Sequence, residues 1–343
     1  MFRHKPVGAI SILAVGALLL SGCGGGSGED SSALTKVTLT VGVPSPDPVT
    51  AFLEAGISKG YFKANGVDLH LAYTQGSVTA TSLVQSGQAD AGLAGPEQLP
   101  SANQQGADLV AIYQHAYSPI FPVAYLDGSK YQSIQSLKGA RIGVLSHASG
   151  AVPVLQAILQ GAGLSLNDVH LVPIGFGAQA VAAVKAGSVD FLAYYDSGYA
   201  LMENQGVKLR TYQDPSLTNK YPGQVIFTSQ KTLSDRGTAL VGMLRGMTKS
   251  IKYCTSQPTD CIDAFAAAVE GGVSDKSVAT SEWKARAAIM QPPAEAKGLF
   301  GYTSDSYWQS LLRVQLEGGV IKKTMPASSL FTTKLTADAN GPT

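Results

Sequence analysis

Charged residues are scarce in this sequence, since Asp, Glu, Lys and Arg make up 14% of the 343 residues, about half of the usual share. The formal net charge is +1, and no run of like charges occurs. Binding to a polyphosphate needs a clustered cationic face, so the composition argues against a nucleic-acid partner. The hydrophobic share of 45% is enough for a large core and for one or two domains.

Motifs of common enzyme chemistry are also missing. The chain has no Gly-x-Ser-x-Gly elbow, no His-Glu-x-x-His pair, no phosphate loop of the Gly-Lys-Ser/Thr type and no cysteine cluster for iron. We therefore predict no catalytic residue, no cofactor and no resident metal.

A long apolar run occurs only near the N-terminus. Cationic residues 3–5 precede an apolar segment at 7–20, which is short for a membrane span, and small residues lead to Cys23. The ending resembles a bacterial lipobox, and the Gly- and Ser-rich stretch after it is typical of a flexible tether. We predict a signal peptide at 1–22, lipidation of Cys23, a tether at 23–35 and an extracytoplasmic location. The alternatives are an ordinary signal peptide with an incidental cysteine, or a membrane anchor helix.

The other two cysteines are Cys254 and Cys261. On one unbroken helix their Cα atoms would lie about 10 Å apart, which is too far for a bridge. Pro258 is expected to break the helix and bring them together, and secretion favours oxidation. We predict a disulfide; reduced thiols or a metal site are the alternatives, and the lack of a nearby His disfavours the metal site.

The order of predicted elements occurs twice. Alternating and apolar periodicities predict strands at 37–43, 67–73 and 90–94 with helices at 51–57 and 77–85, and then strands at 141–145, 169–174 and 189–195 with helices at 152–160 and 179–186. Both halves carry Gly-x-x-Asp before their third strand, at Gly87–Asp90 and Gly187–Asp190. Each half is a βαβαβ unit, which favours a parallel sheet. In such sheets ligands bind beyond the carboxyl ends of the strands, near helix N-termini, so two facing lobes predict a ligand cleft; two lobes packed rigidly without a ligand are the alternative.

Four segments resemble the type II solute-binding proteins of ABC importers, and especially those for nitrate, sulfonates, taurine and the hydroxymethylpyrimidine precursor of thiamine. These segments are ISKGYFKANGVDL at 57–69, QSGQAD at 85–90, SLKGARIGV at 136–144 and KAGSVD at 185–190. The resemblance implies an α/β, two-lobe periplasmic-binding-protein-like II fold, with a mostly parallel sheet flanked by helices in each lobe. It places lobe 1 at 36–126 and 224–343, lobe 2 at 127–223, and hinge strands near 120–126 and 224–228.

Strand ends and helix starts supply the candidate ligand contacts. Lobe 1 offers Ser45, Asp47, Gln75, Gly76, Ser77, Gly95, Pro96 and Glu97, and lobe 2 offers His147, Ser149, Gly150, Tyr194, Tyr195 and Asp196. Asp47, Ser77 and Ser149 can equally serve as helix N-caps, and His147 can equally be a solvated loop residue. Few cations are predicted at the rim, which disfavours a multiply charged anion.

The paired tyrosines are the most informative of these candidates. Neighbouring strand residues point to opposite faces, so we expect one of Tyr194 and Tyr195 to face the ligand and the other to pack against a helix. A tyrosine ring suits a planar or amphipathic organic solute. Some ferric-ion binders of this fold use paired tyrosines, with a carboxylate such as Asp196 or Glu97 completing the site, so iron is an alternative.

The predicted function is solute capture for an ABC importer by a monomer whose partners are a small organic solute (a sulfonate, pyrimidine or aromatic compound), the permease subunits and, through the lipid, the membrane. A ligand-presenting sensor lipoprotein would have the same sequence features. Small-molecule enzymes of this fold, such as the eukaryotic pyrimidine synthases of thiamine biosynthesis, are a further alternative.

Overall fold

A computed structural model of the protein describes residues 33–212 and 221–341. The predicted signal peptide at 1–22, Cys23 and the tether as far as residue 32 lie outside the described residues. The compact unit that begins at Leu34 contains both sheets discussed below. None of the helices in the described ranges combines the length and apolar character needed to cross a bilayer.

Strands and helices alternate along the chain much as the periodicity predicts. The strands are β1 (Thr35–Val41), β2 (Val67–Tyr73), β3 (Ala91–Ala94), β4 (Leu109–Ala116), β5 (Val123–Leu126), β6 (Arg141–Val144), β7 (His170–Pro173), β8 (Phe191–Ala193), β9 (Leu209–Tyr212) and β10 (Gln224–Ser229). The helices are α1 (Ala51–Ser58), α2 (Ser77–Gln85), α3 (Gln98–Gln104), α4 (Ala151–Gly161), α5 (Ala178–Lys185), α6 (Asp196–Asn204), α7 (Gln230–Ser256), α8 (Pro258–Ala268), α9 (Lys276–Ile289), α10 (Asp305–Glu317) and α11 (Thr336–Ala339).

The strands form two sheets with the same plan. The first has the order β2-β1-β3-β10-β4 and the second the order β7-β6-β8-β5-β9. In each, three strands of the βαβαβ unit pair in parallel, and one strand, β10 or β5, runs antiparallel to both of its neighbours. The predicted α/β fold of two mostly parallel sheets flanked by helices is therefore confirmed.

The Gly-x-x-Asp repeat has the same role in both sheets. Gly87 and Gly187 have φ values of 73° and 69°, a left-handed conformation that glycine adopts at little cost. The carboxylates three residues later each accept a hydrogen bond from a backbone amide of the neighbouring strand, at 2.7 Å for Asp90 and Thr38 and at 2.9 Å for Asp190 and Arg141. The Gly-x-x-Asp repeat therefore has a structural role: the glycine follows the end of a helix, and the aspartate fixes the position of the third strand beside its neighbour.

Two features of the chain path depart from the predicted lobe boundaries. β5 pairs with β8 and β9 of the second sheet, so the chain leaves the first sheet before Val123 and not after residue 126. Helix α10, which the boundaries assign to lobe 1, contacts both lobes: Gln315 Nε2 donates to the carbonyl of Glu97 of lobe 1 at 2.7 Å, and Gln156 Nε2 of α4 donates to the carbonyl of Gly318 at 3.3 Å. Sequence periodicity does not report such long-range pairing, which depends on packing.

The predicted disulfide joins α7 to α8. Cys254 and Cys261 are bonded, and their Cα atoms lie 4.9 Å apart because α7 ends at Ser256 and Pro258 starts a new helix. Both cysteines are fully buried in the core of lobe 1, together with Phe52 and Trp283. The indole Nε1 of Trp283 donates to the carbonyl of Cys254 at 2.7 Å, and this hydrogen bond joins α9 to the end of α7.

Candidate functional site

The two lobes are in contact where α2 of lobe 1 begins. The amide of Val78 donates to the carbonyl of Ala148 at 3.1 Å, and the hydroxyl of Ser146 donates to the carbonyl of Gln75 at 2.6 Å. Gly76 has a φ of 134°, and a Cβ there would lie 2.6 Å from the carbonyl oxygen of Ala148. This close approach requires glycine, and it places the starts of α2 and α4 against each other.

A small inner cavity lies between these helix starts. Among the predicted contacts, Asp47, Ser77, Gly95, Ser149, Gly150 and Tyr195 line it, together with Phe121, Gln224 and Arg286. Its volume is about 30 Å³, which is room for water and not for an organic solute. The predicted convergence of helix starts is therefore present, but the space between them is almost filled in this conformation.

A larger cavity of about 740 Å³ opens beside Tyr195. Its walls are the loop Ser45–Pro48 of lobe 1, helices α5 and α6 of lobe 2, and the α8–α9 loop with α9 of lobe 1. Volumes of about 300–1,000 Å³ are usual for small-molecule sites. Asp47 and Tyr195 line both cavities, so they mark where the two spaces meet.

The three predicted capping residues behave differently. Asp47 caps a short 3-10 turn, Pro48–Thr50, and its carboxylate accepts from the amide of Val49 at 3.0 Å. Ser77 is not a cap, since Gly76 precedes the helix and the Ser77 hydroxyl accepts from the amide of Gly95 at 3.3 Å. The Ser149 hydroxyl accepts from the amide of Ala151 at 3.2 Å, just before α4.

Of the remaining predicted contacts, all except Ser45 lie outside the two cavities. Gln75 and Gly76 are at the lobe contact, Pro96 and Glu97 are buried beneath Gly95, His147 is exposed, Tyr194 lies behind Tyr195, and Asp196 pairs with Arg286. For these residues a ligand-binding role stays a prediction without support from the cavity geometry. Ser45 lines the larger cavity.

Tyr194 and Tyr195 follow the end of β8 at Ala193, so strand alternation does not apply to them, and their rings lie against each other with centroids 4.4 Å apart. The Tyr194 hydroxyl donates to the carbonyl of Gly175 at 2.7 Å, and its ring packs against Gly198 of α6. The Tyr195 ring faces the larger cavity and stacks on Phe176, with centroids 5.7 Å apart and an interplanar angle of 21°. The cavity therefore has an aromatic wall formed by Phe176 and Tyr195, of which Tyr195 is 6% exposed.

Carboxylates dominate the polar part of this cavity. Burial raises the pKa of Glu282 to about 7, and the nearby charge of Asp47 adds to the effect. Burial also raises the pKa of Asp47, although the amide of Val49 and the charge of Arg286 oppose that shift. A solute that donates hydrogen bonds or carries positive charge would favour the ionised form of both groups.

Arg286 is a site residue that the sequence reading missed. It is 4% exposed, lines the inner cavity, forms an ion pair with Asp196 of lobe 2 and donates to Gln224 Oε1 at 3.3 Å. Its signal was available, because Glu282 and Arg286 share a helical face with the buried residues Ala279 and Trp283. A polar pair on the apolar face of an amphipathic helix indicates a function for that face.

No group of three or more His, Cys, Asp or Glu residues that could hold a metal occurs within residues 33–212 and 221–341. The Tyr194 hydroxyl donates to the carbonyl of Gly175, and the Tyr194 and Tyr195 rings lie with their centroids 4.4 Å apart.

Residues 47–261 match the family described as "NMT1/THI5 like". The chain belongs to that family. A formylaminopyrimidine-binding protein of Halalkalibacterium halodurans is 22% identical over 264 residues, which cover 76% of this chain and 78% of the relative.

Two further similarities bear on the NMT1/THI5-like fold and its range of functions. The 4-amino-5-hydroxymethyl-2-methylpyrimidine phosphate synthase THI5 of Saccharomyces cerevisiae is 33% identical over 101 residues, 29% of each chain. The alkanesulfonate-binding protein SsuA of Xanthomonas axonopodis pv. citri superposes with a TM-score of 0.62 at 17% identity, covering 90% of this chain and 99% of that one. The second similarity concerns the fold alone.

Proposed function

We propose that this protein is the extracytoplasmic, lipid-anchored solute-binding subunit of an ABC-type importer and that it captures a small organic solute between its lobes. The position of Tyr195 carries this proposal: its ring lines both interlobe cavities and provides a planar stacking surface. A family relative named for binding a formylaminopyrimidine supports a pyrimidine-sized ligand. Closure of the lobes on the solute would present the closed form to a permease.

The ligand test is a binding screen. A form that begins at residue 33 is titrated calorimetrically with pyrimidines, sulfonates, aromatic acids and ferric ion. We expect one organic class to bind with 1:1 stoichiometry and to raise the unfolding temperature. Failure of every class to bind would contradict solute capture, and turnover of a bound compound would favour an enzyme related to the yeast synthases.

The anchor is tested separately. Replacement of the lipidation residue, Cys23→Ala, is expected to move the protein from the membrane fraction to the soluble extracytoplasmic fraction, with unchanged solute affinity. Retention of this variant in the membrane would favour an anchor helix over a lipid. A permease and an ATPase encoded beside the protein would favour import over a sensor role.

A further inference from the structure

Two buried polar atoms lack a partner in the larger cavity. Glu282 and Ser197 are each 7% exposed, both line this cavity, and neither Glu282 Oε1 nor Ser197 Oγ has a hydrogen-bond partner among the described residues. Buried polar atoms are normally paired, and leaving one unpaired costs about 1–3 kcal/mol. Both atoms can accept a hydrogen bond, so each is a candidate acceptor for a solute that supplies donors.

The charges around the cavity point to the same kind of solute. Carboxylates line it at Asp47, Glu270, Asp275 and Glu282, and Lys185 is the one cationic residue among the described lining residues. Lys185 is exposed at the end of α5, whereas Glu282 is buried. When Glu282 is ionised, an anion in this space lies against buried negative charge, and a cation is attracted to it.

The aromatic wall adds a shape requirement. Tyr195 is 6% exposed and stacks on Phe176, and together the two rings give the cavity an aromatic border that attracts cations as well as apolar rings. The carboxylate of Glu282 and the ring of Tyr195 border the same cavity. A planar organic base can use both at once, with its ring on the aromatic wall and its N–H groups on the acceptors.

We infer that the cavity selects a planar organic solute that is cationic or rich in N–H donors, and that Glu282, with Ser197 as a second acceptor, determines this selection. The inference rests on the proposed function and narrows it, because the alkyl- and arylsulfonates and the aromatic acids that the sequence left open are excluded.

The test uses four probes of similar shape that differ in charge and donors: benzamidine, benzamide, benzoate and benzenesulfonate. By calorimetric titration of the form that begins at residue 33, we expect benzamidine to bind at least about 10-fold more tightly than benzamide, and the two anions not to bind, as expected for a charge-assisted hydrogen bond. Glu282→Gln should weaken benzamidine about 10- to 100-fold and Ser197→Ala about 3- to 10-fold. Glu203→Gln, an exposed change on α6 outside the cavity, is the matched control.

A proton-release measurement separates a ligand-binding role from a structural one. Two titratable groups on other elements interact with Glu282: Asp47 of the Ser45–Pro48 loop and Tyr195 at the start of α6. The charged residue Arg286 follows Glu282 on the same helix. A bound cation would ionise Glu282, so titration near pH 6.5 in buffers of different ionisation enthalpy should show net proton release, which Glu282→Gln abolishes.

The outcomes distinguish the two proposals. If benzoate or benzenesulfonate binds as tightly as benzamidine, or if Glu282→Gln leaves affinity unchanged, the inferred selection is wrong and solute capture stands. If none of the four probes binds measurably, the charge of the tightest ligand from the broader screen is decisive. A cationic or donor-rich ligand supports the inferred selection, and an anion contradicts it. If no compound of any charge class binds, solute capture fails and the selection fails with it.

Discussion

Arg286 of α9 forms an ion pair with Asp196, the first residue of α6, and so links lobe 1 to lobe 2. The arginine is 4% exposed, while the aspartate side chain is 29% exposed. The pair belongs to the contact between the lobes, and it lies beside the inner cavity that Arg286 lines. It is therefore placed to stabilise closure over a solute.

The first prediction concerns this ion pair. Asp196→Asn keeps the shape of the side chain and removes its charge, so the closed form should lose stability relative to the open form. We expect solute affinity to fall about 3- to 10-fold because closure contributes to binding. Small-angle X-ray scattering should show a larger radius of gyration in the presence of solute. Arg141→Ala removes the pair with Asp190 within lobe 2 and should change neither quantity; an equal loss of affinity in both variants would contradict the closure role.

The second prediction separates the two tyrosines. Tyr195→Ala removes one ring of the aromatic wall and should weaken solute binding about 10- to 100-fold. The free energy of unfolding should fall only by the packing that this ring contributes. Tyr194→Phe keeps the ring and removes the hydroxyl that donates to Gly175, so it should cost about 1 kcal/mol of stability and leave affinity unchanged. Calorimetric titration and urea unfolding measure the two effects. The reverse pattern would place Tyr194 in the site.

Local features of the sequence were sufficient to predict much of the fold. β2 and α2 begin and end where their periodicity places them, because a strand and a helix have distinct apolar repeats and each is bounded by glycine. These predictions need only neighbours in the chain.

The rest of the site depends on contacts between distant segments. Glu282 and Arg286 lie more than 80 residues beyond Tyr195 in the chain and reach the cleft because α9 packs against the turn after Asp47. Similarly, the antiparallel insertion of β10 between β3 and β4 has no periodic signature. The sequence therefore indicated the cleft and one aromatic wall, while its acidic wall followed from tertiary packing.

The third prediction concerns the disulfide. Cys254 and Cys261 are separated by seven positions, and closing so short a loop stabilises the folded state by about 2 kcal/mol in the chain-entropy account. The double variant Cys254→Ala/Cys261→Ala should lose about that much in urea unfolding. Because neither cysteine lines a cavity, solute affinity should not change. An unfolding midpoint equal to that of the parent under oxidising conditions would contradict a stabilising bridge.

The fourth prediction concerns Glu97, whose carboxyl group is buried beneath Gly95. Burial raises its pKa from 4.5 to about 8, while a hydrogen bond with Tyr221 opposes the shift. The folded protein thus holds a proton that the unfolded chain releases between about pH 4.5 and 8. The stability is greatest at the acid end of this window and falls as the pH rises through it, because the folded state binds more protons.

Glu97→Gln replaces the carboxyl group with a neutral group of the same shape and should abolish this part of the pH dependence. Relative to the parent protein, the variant should gain stability between pH 5 and pH 8, by more than about 1 kcal/mol at the upper end. Glu54 and Glu282, whose pKa values burial raises to about 7, lower stability over the same range in both proteins, so the difference between the two urea-unfolding curves isolates Glu97. Glu203→Gln controls for loss of an exposed charge and should give a difference that does not vary with pH. If the stability difference between Glu97→Gln and the parent also did not vary with pH, Glu97 would be ionised in the folded protein.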